Sequence, residues 1–330
     1  VLKNIADILK ERLNSRVLNQ ENLTELAITA MFAGGHVLIE GVPGLAKTLW
    51  ARSLAQLLSV ECKRVQFTSD LMPSDILGTK VFNQHSGTFE LRKGPLFTRL
   101  FLADEINRTP PKTQSALLEV MEERSITIDG ITHTMEEPFF VMATQNPIEY
   151  EGTYPLPEAL TDRFMMKLLI TYPGVAAEKQ ILQMYATYGG HSREHAEDGL
   201  TYDPKPEGLS ALENLSPVCG AAEIAGAKEE IKAVTVEDGV LNYIVSVVET
   251  TRRVGAVQFG ASPRGSVALL LAGKAYAAIQ GRDYVIPDDI HTLALPVLRH
   301  RILLKPEAEI EGITPDQVIE SILSQVKAPR

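Results

Sequence analysis

The chain has 330 residues, 45% of them hydrophobic and 22% charged, with a formal net charge of −10. This is the composition of a globular protein long enough for two domains, and its acidity argues against nucleic acid as a default partner. Two cysteines, Cys62 and Cys219, exclude a disulfide scaffold and a CxxC metal site and fit a reducing, cytoplasmic setting. No apolar run approaches the roughly 20 residues that would form a transmembrane segment. Lys3, Asp7, Lys10, Glu11 and Arg12 interrupt the first apolar residues, which therefore do not read as a signal peptide.

From Glu21 to Ala33 the residues Leu23, Leu26, Ala27, Ala30 and Met31 keep helical spacing, and Gly34-Gly35 supplies a stop. Val37-Leu38-Ile39 is a continuous apolar run ending at Gly41 and reads as a buried strand. A helix is predicted from Thr48 to Leu58, strands at Val65–Phe67 and Leu100–Ala103, a helix from Pro110-Pro111 to about Glu123, and a strand at Phe139–Thr144. The alternation predicts an α/β fold, a mainly parallel sheet covered on both faces. Two stretches interrupt it. Ser125–Met135, centred on Asp129-Gly130, and Val81–Leu91, centred on Gly87, read as inserted β-hairpins. Beyond Tyr172-Pro173-Gly174 helical periods dominate, over 177–188, 237–253, 263–280, 287–298 and 315–326, with a polar loop at 191–217. This places a domain boundary near 173, between an αβα unit at 1–172 and an all-α unit at 173–330.

The chemistry concentrates in a few short motifs. Gly41-Val42-Pro43-Gly44-Leu45-Ala46-Lys47-Thr48 follows a strand and opens a helix, as a phosphate-binding loop requires. Main-chain amides and the helix N-terminus would cradle phosphate oxygens, Lys47 would meet the β- and γ-phosphates, and the Thr48 hydroxyl would ligate Mg²⁺. Ala46 stands where glycine is usual. Leu100–Ala103 delivers Asp104 and Glu105 to a strand's C-terminal end, where open α/β sheets bind ligands. Asp104 would hold the metal and Glu105 would polarise the attacking water. Gln145-Asn146 ends the next strand, where an amide can orient that water, although the sequence alone reads equally as an ordinary turn asparagine before Pro147. Arg163 and Arg264 could stabilise charge on a transferred phosphoryl group, although by the sequence alone each reads first as a surface or ion-pair residue.

With these pieces together, the sequence resembles the MoxR family of AAA+ ATPases. The matching stretches are AGGHVLIEGVPGLAKT (33–48), QFTSDLMPSDILG (66–78), residues 89–123, residues 139–164, residues 260–290 and LRHRI (298–302). The resemblance implies that Lys47 and Thr48 are the Walker A pair, Asp104 and Glu105 Walker B, and Asn146 sensor 1. It implies an arginine finger at Arg163 acting on a neighbouring subunit, and sensor 2 at Arg264 on a helical lid. Val17 and Leu18 occupy the segment that usually meets adenine, and Asn19 stands where the family commonly has glycine. Members form homo-oligomeric rings, usually hexamers, act like chaperones, and often work with a von Willebrand factor A domain partner in maturing client proteins. ATP is expected between core and lid. The alternatives are a nucleic-acid motor, against which the acidic charge speaks, and a slow ATP-dependent interaction switch. Phe82 and Phe89 on the first hairpin either grip a client or pack the hairpin together.

Overall fold

The computed structural model describes residues 1–17, 20–41, 47–146, 153–170, 172, 174–176, 178–179, 182–183 and 215–329. Helices α1 (Leu2–Asn14) and α2 (Glu21–Phe32) lead into β1 (Val37–Gly41), followed by α3 (Lys47–Leu57), β2 (Cys62–Gln66) and α4 (Pro73–Leu77). The first hairpin is β3 (Gly78–Asn83) with β4 (Thr88–Lys93). Then come β5 (Leu100–Asp104), α5 (Pro111–Glu123), the second hairpin β6 (Ser125–Ile128) with β7 (Ile131–Thr134), β8 (Phe140–Gln145), α6 (Glu158–Thr161) and β9 (Met166–Ile170). Five strands form one parallel sheet in the order β2-β5-β8-β1-β9.

The sheet's apolar runs serve two cores at once. Successive strand residues point to opposite faces. Val37, Ile39, Leu100, Leu102, Phe140 and Met142 accordingly enter one hydrophobic cluster. Leu38, Phe101, Ala103, Val141 and Ala143 enter another, with α5 and the second hairpin. This is why the central strands read as unbroken apolar runs. The edge strand β2 is half polar, and it runs from Cys62 to Gln66 instead of ending at Phe67. Phe67 is fully buried, and its N–H donates to the Asp104 carbonyl at 2.8 Å. Sequence periodicity did not separate β9, α1 or the helix at 221–233 from their surroundings.

Both hairpins form. Asp129 and Gly130 adopt φ of 47° and 78°, the left-handed pair that a tight two-residue turn needs. On the first, Phe82 pairs with Phe89 across the strands, ring centroids 5.2 Å apart, while both remain more than half exposed.

The C-terminal part is helical: α7 (Ala221–Ala233), α8 (Asp238–Thr251), α9 (Pro263–Ile279), α10 (Pro287–Leu298), α11 (Pro306–Ile310) and α12 (Pro315–Gln325), with a short antiparallel pair β10 (Val257–Phe259) and β11 (Leu303–Leu304). Proline opens α9, α10, α11 and α12, where its missing N–H costs nothing. Ser262 caps α9, and Thr314 and Gln317 form a capping box on α12. The helix expected at 177–188 and the loop at 191–217 lie almost entirely outside the described residues. Among the described residues no helix is long and apolar enough to cross a membrane.

These helices share the first hydrophobic cluster with α1, α2 and α3, so lid and core are joined by apolar packing. Helix α9 packs on α1 and α2, and α10 on β9. A polar rivet adds to this. The Arg301 side chain, only 3% exposed, donates from Nε to Asp162 Oδ1 at 2.8 Å and from Nη2 to the Asp162 and Phe164 carbonyls at 2.9 and 2.7 Å. His300 beside it contacts the Phe164 carbonyl at 2.9 Å, and burial together with Arg301 holds its pKa well below the ordinary value. Replacing Arg301 by alanine takes the buried cation from the Asp162 carboxylate, which keeps the Ser262 hydroxyl at 3.2 Å, and removes one donor from the Phe164 carbonyl, which keeps His300. We expect a loss of about 3 kcal/mol, read by denaturant titration as a lower unfolding midpoint followed by the fluorescence of the buried Trp50.

Candidate functional site

The carboxyl ends of β1, β5 and β8 gather the polar residues. Gly41 closes β1, and a Cβ there would meet the Ile170 carbonyl oxygen at 2.7 Å, so close approach of β9 demands glycine. Residues 42–46 of the loop (Val42, Pro43, Gly44, Leu45, Ala46) lie outside the described residues, as do Leu18 and Asn19. Val17 is buried in the first cluster. Lys47 opens α3 and donates to the Gly41 carbonyl at 2.8 Å. Burial holds its pKa below the ordinary value, against a smaller opposing pull from Asp104 and Glu105, which lie within electrostatic reach of the ammonium. Thr48 follows it in the first helical turn, half-buried.

The two acids have separate partners. Asp104 Oδ1 accepts the Thr144 hydroxyl at 2.5 Å, and Oδ2 accepts Arg64 Nε and Nη2 at 3.1 and 2.8 Å. Glu105 leaves the strand in the left-handed region, φ 57° and ψ 51°, a conformation that costs a non-glycine residue on the order of 1–2 kcal/mol. Its carboxylate accepts Gln66 Nε2 at 2.6 Å and pairs with Arg108 Nε at 2.9 Å. Its N–H donates to the same Thr144 hydroxyl at 2.8 Å, so Thr144 binds both acidic residues. Asn146 is buried one residue beyond β8, with its carbonyl accepting from Asn107 at 3.3 Å.

The two arginines lie elsewhere. Arg163 precedes β9, and the adjacent Met165 N–H donates to the His36 carbonyl at the start of β1. That is the amino edge of the sheet, a full strand from Gly41, or roughly 15 Å at about 3.3 Å per residue. Arg163 Nη2 pairs with Glu122 Oε2 at 2.6 Å, and Nη1 donates to the Leu118 carbonyl at 3.1 Å. Arg264 Nη2 pairs with the other oxygen of Glu122 at 2.8 Å. Hence Gly41, Lys47, Asp104 and Glu105 come together at one edge, and Arg163 and Arg264 at the other. Arg264, on the first turn of α9, is placed at the amino edge by its pair with Glu122.

Arg64, Gln66, Arg108, Thr144 and Glu122 escaped the sequence reading. A signal existed for two of them, since Arg64 and Gln66 are spaced i, i+2 on an otherwise β-forming segment and so share a face.

Comparison with known proteins agrees with this geometry. The model for ATPases associated with various cellular activities (AAA) matches residues 36–166, and that for the AAA lid domain matches 249–322. The chain is 40% identical to the chaperone MoxR1 of Mycobacterium tuberculosis over 95% of its own length and 80% of that protein's. It is 30% identical to the protein MoxR of Methylorubrum extorquens over 95% and 92%. A solved structure from Cytophaga hutchinsonii, designated an ATPase, superposes with a TM-score of 0.86 at 38% identity, covering 100% of this chain and 96% of that one. The fold and site define an AAA ATPase, an ATP-hydrolysing enzyme with a helical lid. The chain belongs to the MoxR family of AAA ATPases.

Thr144→Val keeps the strand's shape but leaves Asp104 Oδ1 and the Glu105 N–H without their shared partner. We expect a stability loss of about 1–3 kcal/mol and a steady-state ATPase rate lower by roughly tenfold, since 1.4 kcal/mol of misplaced charge is a factor of ten.

Proposed function

We propose that this chain is a Mg²⁺-dependent ATPase whose sites are completed between neighbouring subunits of a homo-oligomeric ring, and that turnover drives chaperone-like remodelling or maturation of client proteins. The division of labour is a nucleotide-binding core at 1–172 and a lid at 173–330. The observation that carries the reading is the separation of the two charged groups. The acids and Lys47 occupy the carboxyl edge, and Arg163 and Arg264 the amino edge of the same sheet. Within one chain they cannot meet at a phosphate. Head-to-tail packing of copies brings one edge against the other, and a heterologous contact of that kind makes a ring where its rotation closes.

The residues fit the groups assigned to them. Lys47 is a cation at the head of an 11-residue helix, beside Gly41 where the backbone can approach closely, which suits a triphosphate. Asp104 and Thr48 offer oxygen donors of the kind magnesium takes. Magnesium, when bound, supplies charge neutralisation between the outer phosphates. Glu105 is the general base and must exchange Arg108 or Gln66 for the attacking water. Asn146, one residue past β8, is suited to hold that water in line. Arg163 and Arg264 meet charge developing on the neighbour's terminal phosphate. Val17 and the segment at Leu18 are proposed to flank the adenine.

The client role rests on kinship with a relative named as a chaperone and on the exposed aromatics of the first hairpin. A hexamer, a von Willebrand factor A domain partner and a cytoplasmic location are proposed from the family resemblance.

Glu105→Gln should bind ATP with near-normal affinity and hydrolyse it at least about a hundredfold more slowly, the lower bound for losing a general base. Radiolabelled ATP binding and phosphate release measure the two separately, and unimpaired turnover would remove Glu105 from the mechanism. Arg163→Ala and Lys47→Ala subunits, each inactive alone, should regain part of the activity when mixed. Absence of recovery at every ratio argues against action between subunits.

A further inference from the structure

One carboxylate holds both arginines. Glu122, in the last turn of α5, gives Oε2 to Arg163 and Oε1 to Arg264, one residue from the core and one from the lid. Arg163 is further drawn onto α5 by the Leu118 carbonyl, and its buried Nε finds no acceptor. A guanidinium with a desolvated, unmatched N–H is in a compromise position. In front of the pair lies a cavity of about 420 Å³ whose charged lining residues are Glu122, Arg124, Asp162, Arg163, Arg264 and Arg301, set among apolar ones such as Met121 and Leu271. Two of its cations are committed to the fold. Arg301 is tied to Asp162, and Arg124 donates to the Phe139 carbonyl at 2.9 Å and to the Gly34 carbonyl. Arg163 and Arg264 are instead held mainly by the partly exposed Glu122, with the Leu118 carbonyl on Arg163 and a longer contact of 3.9 Å from Arg264 to Asp162, and a stronger anion can replace the Glu122 carboxylate.

We propose that Glu122 is a positioning residue that keeps Arg163 and Arg264 paired within the subunit and surrenders them to the terminal phosphate of ATP bound by a neighbouring copy. The inference rests on the reading that both arginines act between subunits. Two cations side by side repel, and a carboxylate bridging them cancels that repulsion while fixing their spacing. A phosphate offers more charge and at least two oxygens, so it takes over the same N–H donors. Assembly must therefore break the two Glu122 ion pairs that the subunit already possesses and loosen the longer Arg264–Asp162 contact. Both are partly exposed, with Arg264 53% exposed and Glu122 38%, so each holds only weakly and the exchange is reversible.

The test is self-association, measured by sedimentation in magnesium and a non-hydrolysable ATP analogue. Glu122→Ala should form the ring at a protein concentration roughly three- to tenfold lower than the unaltered chain, the range set by two exposed ion pairs. Glu122→Gln, which keeps an acceptor but no charge, should move the same way by less. In an Arg163→Ala/Arg264→Ala background Glu122→Ala should have no effect, because the competition it relieves is gone. An unchanged or higher midpoint overturns the proposal, and so does a shift of full size in the double-alanine background, which would mark a role in α5 itself. Activity regained by mixing Arg163→Ala with Lys47→Ala subunits, together with an unmoved midpoint for Glu122→Ala, sinks this inference alone. No regain on mixing sinks the intersubunit reading and this inference with it.

Discussion

A parallel sheet has two unlike edges, and strand β1 decides what stands at each. It is hydrogen-bonded on both sides, with Val37 beside Met142 and Met166, and Gly41 beside Ile170. That register cannot slip by one residue without exchanging the faces that Val37, Leu38 and Ile39 present to two different cores. With β1 locked, the loop after Gly41 and the acids ending β5 must share the carboxyl edge. The turn before β9, pinned through Met165 to His36, must carry Arg163 to the amino edge. The separation of Arg163 from the acids is thus a consequence of strand direction and register.

The lid is bound by the same constraint. Helices α9 and α10 are buried against α1, α2 and β9, so their orientation follows the sheet's β9 side. Arg264 sits in the first turn of α9 and inherits that orientation, which brings it to Glu122. The Arg301–Asp162 pair reinforces the placement from the residues just after α10. Any lid movement coupled to turnover has to work against a continuous apolar core and a nearly fully desolvated guanidinium. Both favour small rotations of lid and adjoining core together over free swinging.

How far the sequence reveals this follows from what each feature depends on. The strands at 37–41, 100–104 and 140–145 are legible because both faces are buried, which forces unbroken apolar runs. Asp129-Gly130 is legible because few residue pairs tolerate two consecutive positive φ values. Strand β9 is obscure, because Met166–Ile170 is a short apolar run that periodicity alone does not separate from helix. Among the site residues, those in contiguous motifs are visible: Lys47, Thr48, Asp104, Glu105. Those that act by spatial adjacency are hidden. Thr144 contacts Asp104 across 40 positions, and Glu122 meets Arg264 across 142. Nothing local distinguishes Glu122 from the neighbouring acids of an exposed helical turn. The side of the sheet on which Arg264 would lie is likewise a property of helix packing, for which a motif carries no information.

The way Asp104 is held shows where its charge can be redistributed. One partner, Thr144, belongs to a central strand, is 1% exposed, and also binds the Glu105 N–H. Removing it from Asp104 would disturb the turn that sets Glu105. The other partner, Arg64, lies on the edge strand with its side chain 39% exposed. A flexible, solvated guanidinium is given up cheaply, whereas a buried hydroxyl bridging two strands is not. A cation at Asp104, as proposed above, would therefore compete with Arg64 and leave Thr144 in place. Glu105 follows the same pattern, with its N–H fixed by Thr144 and its carboxylate held by the side chains of Gln66 and Arg108. The sheet fixes where the two acids stand, while exchangeable side chains at its edge and in the following turn balance their charge until a ligand takes over.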